Sequence, residues 1–223
     1  PDDLSCNPEE FIPRIERVVT EVLQRGKFPF CLGGEHSISE GPVKAVSQKY
    51  NNLSVLHFDA HCDLREEYNG SKYSHACAGY RMMQYAKIVQ VGIRSVSEDE
   101  VHLCNTRNVR TFLMWKNRDI LKLIPKILKE LTTNVYISID IDALDPSIAP
   151  GTGAPVPGGL NWYETLDILR ATCRAKNIVG ADIVEVCPVP GSNATECLAA
   201  KLAYRIMGYV YTYCMKEKRG TQR

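Results

Sequence analysis

The sequence contains no run of about 18 consecutive apolar residues, so no segment reads as a membrane-crossing helix. It also opens without the basic-then-apolar pattern of a secretory leader, and the expected compartment is the cytoplasm. Its nine cysteines are odd in number and include no Cys-x-x-Cys pair. A disulfide framework is therefore disfavoured, and buried free thiols are expected, notably Cys31, Cys173 and Cys187 inside apolar runs. Net charge is nearly absent as well, since 27 Lys+Arg against 26 Asp+Glu leave +1. That balance offers no electrostatic footprint for nucleic acid or an anionic membrane. The expected partner is a small molecule or another copy of the chain. Internal repeats and low-complexity tracts are absent too.

What is present is an ordinary globular composition, 44% hydrophobic and 24% charged, which excludes disordered and fibrous classes. A length of 223 residues suits one domain with a substantial core. The chain begins at Pro1, which suggests that an upstream piece is missing. Asn7-Pro8-Glu9-Glu10 reads as a helix start, with Ile15, Val18, Val19, Val22 and Leu23 at helical spacing and Gly26 as the stop. A short strand PFCL follows, then a helix over Pro42–Tyr50 and the strand LSVLHF. Further strands are expected at 88–93, 109–114, 135–141 and 178–186. Helices are expected from near Asp119, over Tyr163–Lys176 and over Ala194–Cys214. Strands alternating with helices, several strands being apolar on both faces, predict an α/β fold in three layers. Its central, mostly parallel sheet would be covered by helices on both sides. The long Pro- and Gly-rich stretch Leu144–Leu160 is the segment most suited to a functional loop.

The chemistry concentrates at strand ends. Asp59, His61 and Asp63 follow an apolar strand at a spacing of two, so in extended backbone their side chains share a face. Asp140 and Asp142 repeat the device after another strand, and His36 follows PFCL. Open parallel sheets place their sites at such carboxyl ends. Four crowded carboxylates repel one another unless a compensating charge lies between them, and two divalent cations would supply it. Oxygen-rich ligands with some imidazole suit manganese(II), whereas structural zinc calls for thiolates. A lone Asp-x-Asp or a lone His would more often be a turn cap or a structural residue; three clusters at strand ends are harder to explain that way. Periodicity leaves His57 open, since it shares the phase of Asp59. Cys62 has the opposite phase and reads as core or as a residue backing the ligands, and His102, in a polar loop, as solvated.

The motifs GGEHS (33–37), DAHCD (59–63), SIDIDALDP (138–146) and VEV (184–186) resemble those of the ureohydrolase family, which includes arginases and agmatinases. The resemblance implies a binuclear manganese site held by His36, Asp59, His61, Asp63, Asp140 and Asp142, and it excludes His57. It implies hydrolysis of a guanidino group to an amine plus urea by a metal-bridging hydroxide that Asp63 would steer. It points to His75, in YSHA, as the proton-handling residue and to Glu185 as the carboxylate facing the guanidinium. Family members commonly assemble as trimers or hexamers and carry an additional N-terminal strand, so an oligomer and a missing N-terminal portion are expected.

Two departures bear on the substrate. Leu64-Arg65-Glu66-Glu67 stands where arginases carry small polar groups for an α-carboxylate, and DLREEYNGSKYSHA looks more like agmatinases. So does Gly151, at a position usually alanine in arginases. Agmatine, giving putrescine and urea, is the leading expectation, with Glu66 or Glu67 drawing its ammonium. Arg65 argues the other way, since it would bind the carboxylate of a guanidino acid. Arginase and guanidinobutyrase are the rivals. More remote are a single-zinc, deacetylase-like amidohydrolase and a catalytically silent regulatory homologue.

Overall fold

The structure, a computed structural model, describes residues 8–215. The expected helix cap at Asn7 lies outside them. Six strands form one sheet in the order β1-β6-β5-β2-β3-β4, where β1 is Phe30–Leu32, β2 Leu53–Phe58, β3 Lys87–Val91, β4 Val109–Phe112, β5 Asn134–Asp140 and β6 Asn177–Val184. Every neighbouring pair is parallel.

Parallel strands need crossovers, and helices supply them while covering both faces. Successive residues of a strand face opposite ways, and the core divides accordingly. Leu56, Phe58, Val89, Val91, Ile137 and Ile139 pack against α5 (Ile124–Glu130), α6 (Trp162–Ala175) and α7 (Ala194–Tyr209). Val55, Ile88, Val109 and Tyr136 point the other way, toward α1 (Pro8–Gln24), α2 (Glu40–Lys49) and α3 (Ala78–Met82). All six residues of β2 are buried. At about 2 kcal/mol for each such aliphatic side chain, this burial holds the three layers together.

The elements deviate from the sequence expectation at their ends. In α1 the buried stripe is Ile12, Val19 and Leu23, while Val18 is 54% exposed. Spacings of seven and four select one face, and Val18 falls off it. The helix expected from Asp119 opens as a 3-10 turn over Ile120–Leu123, and α5 starts only at Ile124, with a proline in its first turn. After Tyr209 the last helix loosens into a π turn over Val210–Met215. β6 stops at Val184, two residues early, because Glu185 turns to φ +63°. Cys187, past that turn, is therefore exposed, contrary to expectation; Cys173 is buried, Cys31 half-buried, and all described cysteines are free. His102 is exposed, as expected of a loop residue. Two short helices, α3 and α4 (Glu98–Val101), were not legible in the periodicity. Among the described residues no helix is long and apolar enough to cross a membrane.

Because the strands run the same way, the tips of β1, β2, β5 and β6 open on one edge of the sheet. Register places Phe58 beside Ile139 and Leu32 beside Ile183. The residues that follow each strand are thereby neighbours in space.

Candidate metal centre

At the end of β2, Asp59 is still hydrogen-bonded as a strand residue, its N–H donating to Val91 O at 3.1 Å, and its side chain is fully buried. The chain then turns. Asp59 Oδ1 accepts the His61 backbone N–H at 2.6 Å, and Asp142 Oδ1 accepts that of Ala60 at 2.9 Å. At the end of β5, Asp140 Oδ1 accepts the Asp142 N–H at 2.8 Å. These backbone bonds anchor Oδ1 of Asp59, Asp140 and Asp142, and Oδ2 of each turns toward a histidine.

Those of Asp59 and Asp140 converge on His36, which opens a short 3-10 turn after β1. Its Nδ1 lies 3.1 Å from Asp59 Oδ2, 3.3 Å from Asp63 Oδ2 and 3.3 Å from Asp140 Oδ2. On the outer side His61 Nδ1 is 2.9 Å from Asp142 Oδ2 and 3.6 Å from Asp59 Oδ1. Two groups of ligand-type atoms result, each within 4.8 Å: His36, His57, Asp59 and Asp63 form one, and Asp59, His61 and Asp142 the other. Asp59 belongs to both. All six residues expected to hold metal are brought together.

His36 shows that protein atoms alone leave the centre unsatisfied. Among the described residues its buried Nδ1 has no hydrogen-bond partner. The Ser138 hydroxyl, 2.8 Å from Asp182 Oδ1, gives its proton to that carboxylate, so it accepts from His36 Nε2 at 3.1 Å. A neutral ring then presents a bare lone pair at Nδ1 to three carboxylates, a repulsive arrangement unless a cation stands between them. Titration tells the same story. Burial opposes charging His36, but Asp140, Asp59 and Asp63 outweigh it and raise its pKa well above the imidazole range. Burial likewise opposes charging His61, but Asp142 and Asp59 raise it to about 11. Burial and the neighbouring Asp59 push Asp63 up to about 8, and burial with Asp59 and Asp142 lifts Asp140 well above the carboxylate range. Buried oxygens and imidazole nitrogens that must borrow protons to coexist fit hard-to-borderline divalent cations.

Two non-glycine residues here occupy left-handed backbone: Asp63 at φ +53° and Glu185 at φ +63°. Each costs about 1–3 kcal/mol, which the surrounding bonds must offset. For Asp63 these include Tyr80 N–H to Asp63 O at 2.9 Å, and Leu64 N–H to Glu100 Oε1 at 2.9 Å. Glu100 is also the capping-box acid of α4, so that short helix is tied to the metal loop. For Glu185, the backbone N–H donates to Gly34 O at 2.9 Å and Oε1 accepts the His36 N–H at 2.7 Å. Burial raises the Glu185 pKa, the condition of a carboxylate that lacks a cation.

Beside the centre opens a cavity of about 380 Å³ lined by His61, Asp63, Arg65, Tyr68, His75 and Glu100, among others. His75 is exposed on its wall, its ring edge-on to Tyr68 at 6.0 Å. Glu185 is half-buried next to Gly153, whose neighbour Ala154 lines the same cavity. Glu66 and Glu67 are exposed and are not among the lining residues; Arg65 is, over the Tyr68 ring at 5.0 Å.

Several contributors escaped sequence reasoning. Ser138 and Asp182 fix the His36 ring, and Tyr136 Oη donates to Asp182 Oδ2 at 2.8 Å. Arg94 spreads its guanidinium over the carbonyls of Gly92, Asp142, Ala143, Leu144 and Val156 at 2.6–3.3 Å, tying the long loop to the tip of β5. Asp145 accepts the N–H groups of Ser147, Gly158 and Gly159; the Ser147 hydroxyl first, and then these N–H groups, hold its pKa down to about 2. Only for the acid and the serine was there a signal, as polar residues inside apolar strands.

The Arginase family model matches residues 2–208. An N(1)-aminopropylagmatine ureohydrolase of Thermus thermophilus is 43% identical over 188 residues, covering 83% of this chain and 64% of its own. The agmatinase of Bacillus subtilis is 36% identical over 213 residues, covering 92% of this chain and 71% of its own. The crystal structure of the agmatine ureohydrolase of Thermoplasma volcanium superposes with a TM-score of 0.81 at 34% identity, covering 92% of this chain and 71% of that one. The chain thus spans about two thirds of the length of the relatives it matches.

Proposed function

The chain belongs to the arginase family, and from that membership we propose that it hydrolyses the guanidino group of a linear guanidino compound, agmatine foremost, to an amine and urea. The observation that carries this reading is the pair of ligand groups sharing Asp59, with His36 Nδ1 unpartnered among carboxylates. His36, Asp59, His61, Asp63, Asp140 and Asp142 would hold two manganese(II) ions, which supply Lewis-acid charge and make a water acidic enough to react near neutral pH.

The remaining steps belong to the chain's own side chains. Asp63 accepts a hydrogen bond from the attacking water and aims it at the guanidinium carbon. Glu185, anchored by the His36 N–H, pairs with the planar cation and fixes its orientation. The water oxygen bonds to that carbon, the bond to the alkyl nitrogen breaks, and urea leaves. His75, exposed on the cavity wall, passes a proton to the departing amine. Assembly into a trimer or hexamer belongs to the same reading.

A second substrate follows from the 43% identical relative, which is named for N(1)-aminopropylagmatine. A urea-release panel with added manganese decides between agmatine, N(1)-aminopropylagmatine, arginine and 4-guanidinobutyrate. Agmatine is expected to turn over fastest. Faster turnover of arginine or 4-guanidinobutyrate would remove agmatine, and no urea from any of them would remove the reading itself.

A further inference from the structure

His57 belongs by distance to a metal-type group, yet its hydrogen bonds forbid ligation. Gln90 decides this. Its Nε2 lies 2.6 Å from Cys62 O, and a carbonyl only accepts, so the amide nitrogen must be on that side. Thr111 Oγ1 agrees, donating to Gln90 Oε1 at 2.8 Å. The second N–H of that amide then points at His57 Nδ1, 3.2 Å away, which must accept. The proton of the ring is left on Nε2, and it donates to Asp59 Oδ2 at 2.8 Å. Neither ring nitrogen keeps a lone pair for an ion.

The chain Thr111–Gln90–His57–Asp59 crosses β4, β3 and β2 and ends on the one carboxylate common to both ligand groups. Gln90 and His57 are fully buried and Thr111 nearly so. The His57 ring also meets the His36 ring edge-on, with centroids 4.8 Å apart at 84°. Asp59 is thereby held on both sides: Oδ1 by the His61 N–H and Oδ2 by His57.

Resting on the two-ion reading above, we propose that His57, locked in its Nε2–H tautomer by Gln90 and Thr111, is a positioning residue. It aims the Asp59 carboxylate so that this group can serve both ions, and it is not a ligand itself. Outer hydrogen-bond partners of metal ligands typically contribute about 10- to 100-fold in metal affinity.

The test titrates manganese(II) into metal-free protein by calorimetry and counts bound ions by elemental analysis. His57→Phe is expected to bind two ions at saturation, with affinity lower by about 10- to 100-fold, and to melt at a lower temperature when metal-free, because Gln90 N–H and Asp59 Oδ2 each lose a buried partner. His57→Gln, which keeps an N–H for Asp59, is expected to recover part of the loss. Loss of one ion at every manganese concentration would make His57 a ligand, and unchanged affinity would make it a bystander; either overturns the proposal. Wild-type protein loaded with cadmium-113 provides a readout that does not depend on a variant folding. Nitrogen-15 spectra are expected to show metal coupling at His36 and His61, and at His57 an Nε2–H tautomer without coupling. Coupling at His57, or an Nδ1–H tautomer, overturns the proposal. Wild-type protein that binds no ion pair would sink the functional reading instead, whereas tight binding by His57→Phe sinks only this inference.

Discussion

Asp63 shows how a single side chain reports on the charge it is built to face. In the metal-free folded chain its proton is retained up to about 8, whereas the unfolded chain releases it near 3.8. The folded state therefore carries the extra proton across that interval, and stability falls as pH rises through it. His61 acts in the same sense between 6.5 and about 11. Chelated protein is thus expected to melt at lower temperature near pH 8 than near pH 5, with added manganese recovering more at the higher pH. Scanning calorimetry at both pH values checks this, and a chelated protein that gains stability over the interval would contradict it. Glu185 makes a different prediction. Glu185→Gln keeps the shape and the acceptor for His36 N–H but loses the charge, so kcat/KM is expected to fall by about 10- to 100-fold. Bound metal should stay unchanged, as elemental analysis can verify.

At the scale of elements, Arg94 fastens the Leu144–Leu160 loop to the tip of β5. Arg94→Ala strips a donor from five carbonyls and is expected to cost on the order of 3 kcal/mol, read as a lower urea midpoint with fold retained. A midpoint within error of wild type would show that the loop is held elsewhere. This clamp was illegible beforehand, because backbone carbonyls leave no mark in a sequence. The strands and the acids at their ends were legible, since a period of two and apolar runs survive any detail of packing. Their boundaries were less so: nothing local in IVGADIVEV says that Glu185 will turn to positive φ. Gly151 also acquires a packing reason beside its family one. A Cβ there would stand 2.8 Å from Cys187 O and 2.9 Å from Thr195 Oγ1, so the loop and the start of α7 meet only because the residue has no side chain. Glu66 and Glu67 illustrate the opposite limit: a loop has no periodicity to say where its acids will stand, and both are exposed and outside the cavity lining.

For the whole molecule, the fold is a device for bringing the ends of four parallel strands to one place, and the place would be electrostatically unfavourable without cations. Six parallel strands set that geometry, and the helices on both faces make it rigid. Occupancy therefore decides: the centre formed by His36, Asp59, His61, Asp63, Asp140 and Asp142 is predicted to hold two divalent cations. The most direct test is elemental analysis of protein reconstituted with manganese and freed of excess, alongside Asp140→Asn. Two ions per wild-type chain and one in the variant are predicted. No bound ion, or a single zinc in the wild type, would contradict the account.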